Sequence, residues 1–434
     1  MNNETALIYP YFRTHTETEK LFQPLSISVL AAHFASLGVH VHKYDCTFSS
    51  QETLLKALVK QNPAIIGIHS MITAEATALQ LAAILHEILP NALLVAGGPM
   101  PTLFPEHYLP TFNLVFQGET AVSFAQFAYD YINNAEQLQL HQLLANNEYS
   151  GACFYQEGKL INHPMIHHSK TEIDNFPLPD RTFDNHTLYQ AEWRKKSKHA
   201  PAMLLTSYGC PFNCNFCSKP VFGNALRLRN ITSISQEIYD IKSYGYDQLW
   251  VGDDAFSSDI SHMTAFCSMM RTDHPDTTWM CLARTDAVTR EMATMMAASG
   301  CIRVHLGIES GSDRILKLMG KKASVQDGQT ACAHYHAAGI EISGFFMVGY
   351  PEETIEETEA TFAYALALPL CEISFNVPYP LPGTKLYNQL GTLTGEDWVT
   401  ENEVRFRFNS SFDIEQLRQR ISSVYSEFGQ RKHR

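Results

Sequence analysis

The sequence predicts an α/β protein built in two parts, a doubly wound parallel sheet followed by a partial (β/α)6 barrel. Two observations carry this reading. Short apolar runs alternate with helical patterns through residues 1–135, and a second alternating series begins at Met203 after residues 136–200 break the rhythm. Strands that alternate with helices are joined by crossovers, so they lie parallel with both faces covered.

In the first series the strands are Thr5–Tyr9, 39–44, 64–69, 93–96 and Leu114–Phe116. Helices cover 26–37 and begin again at Glu52, Ala74 and Val122. The ligand of such a sheet lies beyond the strand C-termini. Here those positions are Pro10-Tyr11-Phe12, Ser70-Met71-Ile72-Thr73, Gly97-Gly98-Pro99 and Gly118-Glu119. No G-x-G-x-x-G follows a strand, which argues against a dinucleotide site.

Residues 151–154 and Lys159–Asn162 flank the turn Gln156-Glu157-Gly158 as a hairpin, and a proline-rich stretch follows at 175–180. Residues 136–200 therefore read as a connection. In the second series six strands, 203–207, 248–252, 279–283, 303–308, 341–348 and 372–377, are separated by five helical patterns, among them 235–243, 324–338 and 353–368. Six repeats fall short of a closed eight-stranded barrel, and chemistry is expected at the strand C-terminal ends. Those ends carry Asp253-Asp254, Arg284, Glu309-Ser310-Gly311, Gly349-Tyr350-Pro351 and Pro378-Tyr379-Pro380. The barrel is expected over 201–390, with a helical tail at 391–434.

Composition narrows the function. The 434 residues are 45% hydrophobic and 18% charged, as in a folded globular chain, and the net charge of -13 disfavours a broad nucleic-acid face. No apolar run approaches the roughly 20 residues that span a bilayer. The start Met1-Asn2-Asn3-Glu4 lacks a basic region before an apolar stretch, so a cytoplasmic location without a membrane span is expected. Of ten cysteines, seven (Cys46, Cys153, Cys267, Cys281, Cys301, Cys332, Cys371) lie scattered in apolar patterns as small core residues. None of the nineteen histidines shows metal-ligand spacing with an acid or cysteine.

The other three cysteines stand together in Cys210-Pro211-Phe212-Asn213-Cys214-Asn215-Phe216-Cys217, a C-x3-C-x2-C loop among Gly, Pro and Asn. Thiolates suit Fe–S clusters and zinc, and closed sites use four protein ligands. Three ligands leave one metal position for a substrate or cofactor. A zinc site completed by His199 or another histidine is the competing reading, although structural zinc usually takes two separated C-x2-C pairs.

Placed after the first barrel strand, this loop resembles the signature of the radical S-adenosylmethionine (SAM) superfamily. The resemblance implies that Cys210, Cys214 and Cys217 hold a 4Fe–4S cluster whose fourth iron binds SAM. An electron then breaks the C5′–S bond and releases a 5′-deoxyadenosyl radical. It further implies SAM contacts at Phe216, at Gly252-Asp253-Asp254 in the place of a GGE-type motif, at Arg284 toward the carboxylate, and at Glu309 and Ser310. Residues 344–349 would then lie near the adenine. Asn376 to Thr384 resembles the sixth-strand P-x-P-G-T ending. The plainer reading of each lone acid is a helix cap or surface charge.

With its N-terminal α/β part, the chain resembles the cobalamin-binding subclass of that superfamily. The D-x-H-x-x-G of histidine-ligated cobalt is missing, since the first loop reads Tyr9-Pro10-Tyr11-Phe12-Arg13-Thr14-His15. Ser70, Ile72, Thr73, Gly97 and Gly98 fit an S-x-[LIT]…GG arrangement, and Gly118 and Glu119 end the next strand. Glycines there let the backbone approach a nucleotide tail, or simply close tight turns. The expected activity is methylation of an unactivated carbon through methylcobalamin. Alternatives are a radical cyclisation, rearrangement or oxidation, and a non-catalytic Fe–S or zinc protein. The expected partners are a small-molecule or peptide substrate and an electron donor of the flavodoxin or ferredoxin type.

Overall fold

The computed structural model describes residues 4–13, 21–134, 140–183, 185–219, 221–286, 288–378, 381, 383–390 and 413–431. They form two compact units. One runs to Ala202 and includes Lys219–Gly223 and Thr232–Tyr246; the other comprises the remainder.

The first unit is a seven-stranded sheet. Its strands are β1 (Thr5–Tyr9), β2 (Val41–Asp45), β3 (Ile65–His69), β4 (Leu93–Gly97), β5 (Leu114–Phe116), β6 (Ala152–Gln156) and β7 (Lys159–Asn162), in the order β2-β1-β3-β4-β5-β6-β7. β1 to β5 pair in parallel. Alternate residues feed two cores: Ala6, Ile8, Ile66, Ile68, Leu94 and Ala96 face one helical layer, while Leu7, Ile65, Leu93 and Val95 face the other. Burial on both faces is why these strands are unbroken apolar runs. The strand order reverses between β1 and β3, which sets the crevice at their C-terminal ends.

The hairpin expected in the connection is instead part of this sheet. β6 pairs antiparallel with β5 through Val115↔Cys153 and Phe116↔Ala152, and β7 pairs with β6. Cys153 and Phe154 are buried in the two cores, so the sheet is mixed, with an antiparallel edge.

The chain passes into the second unit within β8 (Pro201–Leu204), which with β11 (Gln248–Val251), β12 (Thr278–Arg284), β13 (Cys301–Glu309), β14 (Glu341–Met347) and β15 (Glu372–Asn376) forms a six-stranded sheet in the order β15-β14-β13-β12-β11-β8. The first barrel strand stops at Leu204, earlier than expected. Its continuation β9 (Ser207–Tyr208) pairs antiparallel with β10 (Arg227–Leu228). Trp250, His305 and Phe345 pack in a row on one face of the sheet, with Trp250–His305 tilted and His305–Phe345 stacked at centroid distances of 4.5 and 5.7 Å. Trp279 packs with Phe256 and Phe266 against the helices. Those helices start on side-chain caps from Asp259, Thr289, Ser324 and Thr354, each worth about 1 kcal/mol.

Of the expected tail, residues 391–412 lie outside the described residues, and Ile414–Arg431 is a helix. Among the described residues no helix is long and apolar enough to cross a membrane.

Candidate functional site

The cysteine loop follows β9, which it leaves through Gly209 at φ 79°. Cys210 is buried, Cys214 half-buried and Cys217 exposed. Asn215 fixes the loop: its amide N–H and side-chain amide each donate at 2.7 Å, to Met319 O and Leu318 O, and its own carbonyl accepts from the Leu386 amide at 2.9 Å. Gly320 is a close approach, since a Cβ there would meet Asn215 Oδ1 at 2.9 Å and Asn213 O at 3.0 Å. Phe216 packs against the cluster of Ile315, Met319, Met347, Tyr350 and Leu386. Tyr350 is buried, its hydroxyl has no hydrogen-bond partner, and burial with the nearby Cys214 pushes its pKa up to about 12.

Arg284, at the end of β12, lies beside the cysteine loop. Nε and Nη2 donate to the two carboxylate oxygens of Asp286 at 2.9 and 2.6 Å, and the guanidinium lies 3.6 Å from the Phe212 ring centroid. Nη1 reaches Cys214 Sγ at 3.8 Å. Burial works against the arginine's charge, but Asp286 and Cys214 outweigh it and hold the group protonated. Arg284 is thus a neighbour of the thiolate loop whose carboxylate-binding edge is already occupied.

Asp253 is buried and turned inward. It accepts from Thr206 N at 2.6 Å, Thr206 Oγ1 at 2.5 Å and Ser207 Oγ at 2.7 Å. Burial raises its pKa against these bonds. It ties the end of β11 to the start of the loop, which is also why β8 ends early. Asp254 beside it is exposed, and Gly252 N donates to Leu204 O at 2.8 Å. Glu309 sits at φ 69° beside an irregularity in the β13–β14 register. Its carboxylate meets Lys321 Nζ at 2.8 Å, and Lys321 also donates to Gly307 O. A Cβ on Gly307 would strike Glu309 Oε1 at 2.6 Å, so the glycine makes room for the pair. The Ser310 hydroxyl is held inside its turn, 3.2 Å from Thr361 Oγ1 and accepting from Ser312 N at 3.1 Å. Within 344–349, Gly344 is a packing glycine whose Cβ would meet Leu370 at 2.8 Å. Gly349 and Tyr350 donate their amides to Glu353 at 2.5 and 3.0 Å. In the sixth-strand ending, Tyr379, Pro380 and Pro382 lie outside the described residues.

In the first unit the strand ends are largely uncharged. His69 is pushed down to about 4 by burial and stays neutral at pH 7. Ser70 is buried and bonded to Tyr108 Oη at 2.6 Å, whereas Thr73 is exposed. Gly98 (φ 111°) leaves no room for a Cβ, which would lie 2.6 Å from Ser70 O and 2.9 Å from the His69 ring; at Gly97 only Phe116 O comes near, at 3.8 Å. Gly118 (φ 80°) donates to Thr102 Oγ1 at 3.0 Å, and Glu119 meets His167 Nδ1 at 3.0 Å. Arg13 pairs with Glu192 at 2.7 Å, while Thr14 and His15 lie outside the described residues.

Residues 204–365 match the radical SAM superfamily, and residues 16–128 match the B12 binding domain. The chain carries a radical SAM domain and a B12-binding domain. It is 28% identical to an uncharacterised methyltransferase of Pyrococcus horikoshii over 88% of this chain and 82% of that one. It is 26% identical to cytidylyl-2-hydroxyethylphosphonate methyltransferase of Streptomyces wedmorensis over 78% and 69%. Its fold resembles the radical SAM methyltransferase TsrM from Kitasatospora setae, solved with cobalamin and a 4Fe–4S cluster, at TM-score 0.74 and 17% identity over 90% of this chain and 75% of that one. It also resembles the cobalamin-dependent SAM radical enzyme OxsB, at TM-score 0.71 and 18% identity over 86% and 53%.

The residues present fit the groups this family carries. Three thiolates on one short loop, an arginine N–H aimed at one sulfur and a buried tyrosine hydroxyl without a partner suit a cluster, whose sulfurs accept such donors. The open rim at Gly97 and the left-handed Gly118 suit a ligand close to the backbone. Sequence reasoning missed Lys321, Glu353 and His69. Lys321 stands in an undistinguished Gly-Lys-Lys run. Glu353 is the last residue of Gly349-Tyr350-Pro351-Glu352-Glu353, where its distance of four from a strand-end glycine was the available signal. His69 closes an apolar strand and reads as core.

Proposed function

We propose that this radical SAM enzyme methylates an unactivated carbon of a small-molecule substrate with the aid of B12. The observation that carries the reading is the union of a three-thiolate loop and a glycine-ended crevice in one chain that aligns along 88% of its length with a relative named as a methyltransferase. When bound, the cluster with SAM supplies a radical able to take hydrogen from carbon, and the corrinoid supplies the methyl group.

Around that chemistry the chain's own residues have distinct tasks. Cys210, Cys214 and Cys217 would hold the cluster, and Arg284 donates to the Cys214 sulfur, which stabilises negative charge there. Phe216 and Tyr350 keep water from that side. The Glu309–Lys321 pair and the exposed Asp254 offer charges of both signs to the zwitterionic amino-acid end of SAM. Gly97, Gly98, Gly118 and Thr73 form the corrinoid side, with Ser70 and Glu119 supporting the rim through Tyr108 and His167. An electron donor of the flavodoxin or ferredoxin type belongs to this reading.

A second reading keeps the radical and omits methyl transfer. It is favoured by a relative named as anaerobic magnesium-protoporphyrin IX monomethyl ester cyclase from Cereibacter sphaeroides, 24% identical over 79% of this chain and 56% of that one.

The test is anaerobic reconstitution with iron, sulfide and hydroxocobalamin, followed by SAM, reductant and a small-molecule cell extract. S-adenosylhomocysteine together with 5′-deoxyadenosine is expected; 5′-deoxyadenosine alone defeats methylation. Cys214→Ala should give no 5′-deoxyadenosine while keeping its circular dichroism spectrum, and cleavage at the wild-type level would overturn the cysteine assignment.

A further inference from the structure

We infer that Glu4, His40 and His42 form a divalent-metal site at the N-terminal ends of β1 and β2. Spacing along the chain does not mark this group, because the third ligand comes from another strand. His40 and His42 are two apart at the entry to β2, so they project to one side. The parallel register Thr5↔Val41 and Ala6↔His42 brings Glu4 alongside them.

Glu4 Oε2 lies 3.0 Å from His40 Nδ1 and 2.8 Å from His42 Nε2, and one ligand atom of each residue lies within 4.8 Å of the others. The two rings meet edge to face with centroids 4.7 Å apart. Two imidazoles and a carboxylate, with water in the fourth place, are an established donor set for zinc. Ligand bonds of about 2.0–2.1 Å set tetrahedral ligand atoms about 3.3 Å apart. The two carboxylate–nitrogen distances therefore need to open by only about half an ångström, while the two ring nitrogens, within 4.8 Å of one another, draw toward the ion, which takes the place of the ring N–H protons that the carboxylate accepts.

Nitrogen-rich sites select zinc, nickel or copper over magnesium or calcium. Side-chain exposures of 68% for His40, 43% for His42 and 33% for Glu4 leave the ion a path and a water ligand. The site clips the edge strand β2 to its neighbour at the end of the sheet away from the crevice, so its role is structural.

The experiment uses tag-free, cluster-reconstituted holoenzyme, in which the cysteine loop is already filled, titrated with Co2+. One equivalent should give the visible bands of four-coordinate cobalt, Zn2+ should displace it, and Zn2+ should raise the melting midpoint. His42→Ala and the milder surface change His40→Ala should each weaken Co2+ binding at least tenfold and remove the Zn2+ effect on melting. Absence of cobalt bands in the wild type, or bands unchanged in both variants, overturns the site.

Discussion

At the C-terminal ends of β12, β13 and β14 the barrel sets ionisable groups against partners: Arg284 on Asp286, Lys321 on Glu309, and Glu353 on two backbone amides. The ends of β3, β4 and β5 instead carry a neutral histidine, a serine–tyrosine pair and three glycines, with the Glu119 carboxylate set on His167 beyond them. The barrel rim is positioned by charge and the crevice rim by close backbone approach. Each therefore has its own point of failure. Removing one charge from the barrel strands its partner in a low-dielectric site, whereas adding one carbon at Gly98 of the crevice presses on the Ser70 carbonyl.

The largest effect is expected at Lys321. Its side chain is only 3% exposed, and replacing it with methionine leaves Glu309 without its cation, in a left-handed conformation that already carries strain. Breaking a buried pair from one side costs about 3 kcal/mol. Denaturant unfolding of Lys321→Met should show a loss of that order, together with weaker SAM binding. A loss below about 1 kcal/mol would mean that the pair is solvated and the contrast between the rims is overstated.

On the crevice side, Gly98→Ala and Gly97→Ala form a matched test. The first puts a Cβ 2.6 Å from Ser70 O at φ 111°; the second meets nothing nearer than 3.8 Å. Strain of this kind amounts to about 2 kcal/mol. Gly98→Ala should lose about that much stability and at least tenfold in corrinoid affinity by absorbance titration. Gly97→Ala should keep its stability, and any loss of corrinoid affinity in that variant would report direct contact with the ligand. Equal behaviour of the two would remove the steric account of the crevice.

How far the sequence reveals this contrast follows from the range of the interactions. β1 and β5 are legible to the residue because burial on both faces makes them unbroken apolar runs. The cysteine loop is legible because its three cysteines lie within eight residues of chain. The hairpin is legible as a hairpin but not as an edge of the first sheet, since Cys153 opposite Val115 is a choice among partners that no local pattern records. β9 and β10 are two residues each, too short for any periodicity. Asp253, Arg284 and Ser310 are identifiable as strand-end polar residues, yet their partners Thr206, Asp286 and Thr361 are set by tertiary packing. Glu4 with His40 and His42 shows the same limit, a strand-period pair whose third member arrives through the register of β1 against β2.

The smallest effect is a pH dependence at Glu353, whose pKa is pushed up to about 7 by burial against the hydrogen bonds from Gly349 and Tyr350. The unfolded value is about 4.3. Between about pH 4.5 and 7 the folded state therefore holds a proton that the unfolded state has released, so this group makes stability fall as pH rises through that window and adds no further change above it. Glu353→Gln removes the titration. Gln loses a charged acceptor for the two amides, so the net gain over wild type at pH 8 should be modest, about 1 kcal/mol, and should shrink to nothing or reverse below about pH 4.5. Unfolding midpoints of both proteins across pH 4 to 8 measure this. Parallel curves would show that burial does not raise the Glu353 pKa above its unfolded value and that the barrel rim holds a fixed charge there at neutral pH.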